Sequence, residues 1–197
     1  MPNAGGNDIY LGKISPTGQV LWAKHFGTNQ NDIASEVEVS PQGNVFIAGR
    51  FGTDTLTADG FQMPNTGAGG NDAFVICLDT AGNVLWVNNF GNDGDAVVGS
   101  MAVLPSGEVI LLGEYDGNDV DVGPFTLSGG EGFLAKLTTD GNVLWAQNSY
   151  VGEVTATPFG EFYAAGQTEA ASFALGSFVH QNSGEYDIII AKYDGSG

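Results

Sequence analysis

The chain repeats itself, and that limits what it can fold into more than any other feature. Gly5-Gly6-Asn7-Asp8 returns as Gly69-Gly70-Asn71-Asp72, 64 positions later, and Val20-Leu21-Trp22 returns at the same spacing as Val84-Leu85-Trp86. A third copy carries Val143-Leu144-Trp145, and a fourth opens at Tyr186-Asp187-Ile188 and runs to Gly197. Self-similarity at a fixed period means one supersecondary unit, stacked on its neighbours because it cannot bury its apolar surface alone. The period of about 60 residues divides the chain into units at 1–66, 67–127 and 128–181, followed by the first strand of a fourth at 182–197. The third unit is shortened, because 15 residues separate Trp145 from Gly160 where 21 separate Trp22 from Gly43.

Each unit reads as β structure. Short apolar runs such as 73–78 and 84–87 flank Asp79-Thr80-Ala81-Gly82, matched by Ser15-Pro16-Thr17-Gly18 and Thr138-Thr139-Asp140-Gly141. Asp, Ser or Thr at the first position and Gly at the fourth is a type I turn signature, and glycine can take the positive φ that closes such a hairpin. A second turn recurs as Ser40-Pro41-Gln42-Gly43, Leu104-Pro105-Ser106-Gly107 and Thr157-Pro158-Phe159-Gly160, and it predicts a hairpin between the third and fourth strands. The fourth strands end at Gly49, Gly113 and Gly166. Phe61, Phe125 and Phe178 lie 12 positions beyond these glycines, with Leu56, Val120 and Phe173 five residues earlier. Apolar residues held at constant offset predict that this connection packs down as an ordered loop or short extra strand. No segment keeps a helical period over three turns.

Four strands per unit, repeated as a meander, are the sequence form of a β-propeller blade. The expected fold is therefore all-β, with four-stranded antiparallel meander blades, about three units and one extra strand. The run 69–86, Asn89-Phe90-Gly91 and Gly43-Asn44-Val45-Phe46-Ile47-Ala48-Gly49 resemble the bacterial β-propeller repeat family known as SBBP. That resemblance covers nearly the whole chain in three copies and implies exported bacterial surface proteins, mostly of unassigned function. Asp79 to Trp86 is also similar to the quinoprotein-type propeller repeat, but nothing here supplies the paired cations and carboxylate base of such an enzyme, and Arg50 is the only arginine.

Both ends fall inside the repeat, since Met1-Pro2-Asn3 corresponds to Met63-Pro64-Asn65 and Gly197 lies in a hairpin turn. The chain is thus expected to be cut from a longer array, and the lack of a leader says little about location. Three units and a strand are too few for an ordinary closed ring. Self-association, or the remaining blades of a longer protein, is expected to cover the ends, and the strand at 186–193 is expected to be unpaired and able to join a blade edge in another copy.

Charge narrows the partners. The 197 residues hold 23 Asp and Glu against 5 Lys and Arg, a formal net charge of −18. Phosphate backbones and anionic lipid heads are repelled by such a surface, so nucleic acid is excluded as a partner. No apolar run is long enough to insert in a membrane as a helix. With 42% hydrophobic residues the chain still has material for a core.

Few residues stand out as chemistry. Lys13, Lys136 and Lys192 share a phase that Cys77 fills in the second unit, each five residues after an acid: Asp8, Asp72, Glu131 or Asp187. Repetition in every unit points to structural hydrogen bonds or ion pairs, and Cys77 reads as a lost lysine. Trp22, Trp86 and Trp145 read as packing anchors between blades. His25 and His180 do not repeat, and no Ser-His-Asp, CxxC, HExxH or phosphate-loop pattern occurs. Acids are numerous enough to leave paired carboxylates for glycoside chemistry open. Calcium is the candidate ligand: Asp116, Asn118, Asp119 and Asp121 cluster in one loop and Asn92, Asp93 and Asp95 in another, with Asn29, Asn31 and Asp32 matching the latter by phase. Hard oxygen donors on a glycine-rich loop suit that ion, although Val120 breaks the EF-hand pattern and the competing reading is solvated turns.

The expected function is therefore a non-enzymatic scaffold or adhesive module, extracellular or on a bacterial cell surface, without a bound cofactor. The alternative is a carbohydrate- or small-molecule-binding propeller, or more remotely a quinoprotein-like or hydrolytic enzyme.

Overall fold

Strands whose residues are apolar on both faces must lie inside a sheet that is itself covered on both sides. Among the described residues four strands are of that kind, and the first two are β4 (Val45–Phe51) and β7 (Asp72–Leu78), the latter buried at every residue. In the computed structural model, which describes residues 3–67, 69–117, 119–149, 152–168, 172–175, 178–182 and 184–194, these two strands pair with each other. Around them lie β3 (Ile33–Val39) and β8 (Val84–Phe90), giving an antiparallel sheet in the order β3-β4-β7-β8.

This is a four-stranded meander, but it is phased across the repeat. The expected sheet of β1 (Ile9–Ile14), β2 (Val20–Phe26), β3 and β4 does not form; β1 pairs with β2 as a separate two-stranded sheet. The third and fourth strands of one sequence unit instead join the first and second of the next. The same happens with β9 (Ala96–Val103), β10 (Val109–Tyr115), β13 (Gly132–Leu137) and β14 (Val143–Ser149), ordered β9-β10-β13-β14. In the shortened unit, β15 (Gly152–Ala156) pairs with β16 (Phe162–Thr168), and β16 pairs with β19 (Asp187–Tyr193). The terminal strand expected to be unpaired is therefore paired: all seven of its residues are in register with β16, from Thr168↔Asp187 to Phe162↔Tyr193. Burial explains this, since Ile189 of β19 faces the core.

The turns behave as their residues require. Gly18, Gly43, Gly82, Gly107, Gly141 and Gly160 all have φ between +84° and +92°. Each donates its amide to the carbonyl three residues back, as Gly82 does to Asp79 at 3.0 Å. The connections beyond the glycines are small hairpins: β5 (Thr55–Ala58) with β6 (Phe61–Pro64), β11 (Asp119–Val122) with β12 (Phe125–Ser128), and β17 (Ser172–Leu175) with β18 (Phe178–Gln181). Asp59 and Gly60 both take positive φ, the two-residue turn that matches strand twist. Leu56, Ala58 and Met63 anchor the first hairpin in the core while Phe61 is exposed, contrary to its expected packing role.

The core lies between successive sheets. One cluster joins β1-β2 to the first four-stranded sheet through Ile9, Phe26, Ile47, Phe51, Phe74 and Ile76. A second joins the two four-stranded sheets through Phe46, Val75, Cys77, Leu111, Phe133 and Leu137. The third joins β10 and β13 to β15 and β16 through Ile110, Leu134, Val154 and Phe162. At the inner edge β3, β9 and β15 run beside one another, tied by Ser35 Oγ donating to the Val98 carbonyl and by Val154 N donating to Ser100 Oγ at 3.1 Å. The described residues contain no helix, and the chain is all-β with propeller-type sheets.

Candidate functional site

The conserved phases inside the chain turn out to be joints. Trp22 lies on the turn glycine Gly82 of the next sheet and donates its indole N–H to the Thr80 carbonyl at 3.2 Å; Trp86 does the same over Gly141, to Thr139 at 2.9 Å. Trp145 stacks on Phe162, which stacks in turn on Tyr193. These three indoles are partly buried and pack against the core between sheets.

The lysines are joints too. Lys136 reaches Glu108 at 3.2 Å and Lys192 reaches Glu161 at 2.7 Å, both acids following a turn glycine. Lys13 donates to the Thr80 carbonyl at 3.0 Å. Burial pushes the Cys77 thiol up to about 12, with the nearby Asp79 carboxylate adding to the effect, so Cys77 is protonated and inert at neutral pH.

The acids of the neighbouring phase hold other groups. Asp8 Oδ2 is 2.7 Å from His25 Nε2 and accepts from Ala4 N at 2.6 Å; these bonds hold its carboxyl below the usual range. Asp72 Oδ2 accepts from Thr66 N, Thr66 Oγ1 and Asn89 Nδ2, yet its burial outweighs those bonds and raises its carboxyl. The space beside Asp72 exists because residue 91 is glycine, where a Cβ would come within 2.1 Å of Oδ1. Asp187 meets the other histidine, His180, at 3.3 Å. The two non-repeating histidines thus contact acids of one phase, from β2 and from β18.

The calcium candidates are brought together only in part. Asn92, Asp93 and Asp95 lie in the link between β8 and β9, Asp116 follows β10, and Asp119 and Asp121 are on β11; Asn118 lies outside the described residues. Asp95 Oδ1 accepts from Asn71 N and Nδ2, both at 2.7 Å, and Asp116 Oδ1 accepts from Asp95 N at 2.7 Å. Asp121 Oδ1 accepts from Thr126 Oγ1 at 2.6 Å, and the Asp121 backbone bridges to Gly91. The phase-matched Asn31 and Asp32 clasp backbone in the same way, at Asn7 N and at Thr28 N and Gly52 N. Among the described residues no three His, Cys, Asp or Glu side chains are grouped to hold a metal ion.

One place breaks the repetition. β4, β10 and β16 run two residues past the glycines expected to end them, and the residue after each glycine is Arg50, Glu114 or Gln167, three different chemistries at one phase. Arg50 and Glu114 face an open cleft of about 440 Å³ between the two four-stranded sheets, together with Asp95, Tyr115, Asp116 and Glu131. Glu114 also borders a second cleft of about 440 Å³, with Glu153, Gln167 and Ile188. Tyr115 is fixed there by bonds between its hydroxyl and Asn148 Oδ1 and Gly130 N. A guanidinium that donates, set among carboxylates that accept, can together bond a polyhydroxylated ligand. Sequence reasoning noted Arg50 as unique but missed its phase; the signal was a variable residue in an otherwise regular register.

No protein-family model matches the chain. Over 100 residues it is 32% identical to an uncharacterized WD repeat-containing protein of Acanthamoeba polyphaga mimivirus, a match covering 49% of this chain and 7% of that protein. The chain thus spans a small fraction of the relative it resembles. With the four-stranded antiparallel sheets, this similarity marks the fold as a β-propeller-type repeat.

Proposed function

We propose that the chain is a non-enzymatic repeat scaffold of the SBBP type, displayed outside the cell as a structural or adhesive module. The observation that carries this reading is that the repeated polar and aromatic residues are spent on joints between sheets, as Trp86 and Lys136 are. A formal net charge of −18 keeps such a surface soluble and away from anionic polymers. Asp95 and Asp116 act in this reading as clasps for backbone amides and need no cation. An antibody against the purified chain, applied to intact cells of the source, is expected to label them; labelling only after permeabilisation overturns the placement.

The Arg50 and Glu114 cleft favours a second reading, a site for a carbohydrate or other small polar molecule. Screening immobilised glycans against the chain and its Arg50→Ala variant separates the two. Binding that the substitution abolishes supports the second reading, and no binding leaves the scaffold alone.

A further inference from the structure

We propose that the two outermost sheet faces of this chain dock on each other between copies, head to tail, so that the partner is a second copy of the same chain. This rests on the scaffold reading above and names its partner.

The structure itself records what covers faces of this kind. Ile188 and Ile190 of β19 occupy the repeat positions of Ala73 and Val75 in the first four-stranded sheet, and Tyr163 of β16 occupies that of Phe46. Those three equivalents are buried against the following sheet. Ile188 and Ile190 are instead 81% and 69% exposed. At the other end, Tyr10 and Ile14 of β1 occupy the positions of Phe133 and Leu137 in β13. Phe133 and Leu137 are fully buried against the preceding sheet, while Tyr10 and Ile14 are 54% and 62% exposed.

The two exposed faces therefore repeat the central part of one junction, with β1-β2 standing for β13 and β14; among the described residues the two-stranded sheet has no counterpart of β9 and β10. Inside the chain, Ala73 and Val75 belong to the same core cluster as Phe133 and Leu137. Between copies, Ile188 and Ile190 would take the former role and Tyr10 and Ile14 the latter, continuing a packing the chain already uses. The residues are larger on one side, Ile for Ala73 and Val75, and the opposing strand has Gly12 where β13 has Ala135. The carbon removed at Gly12 offsets only part of what is added, so the sheets at the junction between copies are expected to sit further apart than those inside the chain. Apolar patches of this kind on a soluble chain mark interaction sites. Because the faces differ, the contact is heterologous, and copies close into a ring or continue as a filament.

The test uses the whole chain and two single-face variants, Ile190→Glu and Ile14→Glu, read by analytical ultracentrifugation and native mass spectrometry at high micromolar concentration. Both positions are solvent-exposed, so unchanged circular dichroism and melting are expected. The wild-type chain is expected to form species at multiples of the chain mass, and each variant alone to lose all of them. An equimolar mixture of the two variants is expected to form a 1:1 dimer and nothing larger, since only one live pair of faces remains. A monomeric wild type, the result if other repeats cover these faces, overturns the proposal. Variants that still assemble alone, or a mixture that stays monomeric, overturn it as well. A monomeric result leaves the scaffold reading standing on its own cell-labelling test.

Discussion

Lys136 and Glu108 form an ion pair across β13 and the start of β10, 3.2 Å apart, with the lysine side chain only 6% exposed. In the preceding sheet Cys77 holds the lysine position, opposite Phe46 in the ladder as Lys136 is opposite Ile110, and Asn44 stands where Glu108 does. The chain has thus exchanged both members together, a charged couple for a neutral one. Glu108→Ala removes one charge-assisted bond from an enclosed ammonium and is expected to cost about 2 kcal/mol. Lys136→Met, which leaves the more exposed carboxylate behind, is expected to cost about 1 kcal/mol. The double variant Lys136→Cys with Glu108→Asn copies the neutral couple and is expected to be more stable than Glu108→Ala, as urea denaturation will show.

Trp86→Ala removes the indole packed over Gly141 and is expected to cost about 3–5 kcal/mol in the same assay. Trp86→Phe keeps most of the packing but loses the bond to the Thr139 carbonyl, at about 1 kcal/mol for the hydrogen bond. Gly141→Ala is also destabilising, because its φ of +85° disfavours a side chain and a Cβ would lie 2.7 Å from the Trp86 ring.

Asp8 and Asp72 share a phase but have opposite signs in their dependence on pH. The Asp8 carboxyl is held below its ordinary 3.8, so its contribution is present above that value and lost as pH falls through the lowered one. Burial raises the Asp72 carboxyl above 3.8, so the folded state prefers the protonated form, and stability from this group is lost as pH rises through the raised value. Melting followed from acid to neutral pH is expected to show Asp8→Asn lowering the melting temperature at neutral pH and flattening the acid limb. Asp72→Asn is expected to remove a downward slope with rising pH and to leave neutral stability equal or higher.

Calcium is expected to leave the melting temperature unchanged at millimolar concentration, because Asp95 and Asp116 already direct oxygens at backbone and side-chain N–H groups. A rise abolished by Asp116→Asn would assign the ion to this loop.

The strands, the turns and the all-β class were legible because glycine and proline punctuate them at fixed intervals. The phasing of the sheets was less so. The signal was present in Val45–Phe51 and 73–78, apolar on both faces and therefore central, but the order of strands along the chain suggests sheets confined to single units. The hairpin at β5 and β6 was announced by Asp59-Gly60 between short alternating segments. The lysine partners had a geometric clue as well. Asp8 and Lys13 are five residues apart, an odd spacing, so on a strand they point to opposite faces and cannot form a pair within it. The cleft was out of reach, since Arg50, Asp95 and Glu131 come from three loops and strand ends that only the packing of two sheets brings together.

Sheets phased across the repeat clasp each unit to the next as links in a mail coat are clasped. Excision of one unit between equivalent points in β4 and β10 would rejoin β4 to β13 and leave a whole sheet behind. Such an array can lengthen or shorten by duplication and loss without ever passing through a broken sheet. A single unit taken alone, by contrast, holds two halves that belong to different sheets, and it is expected to have no folded state of its own.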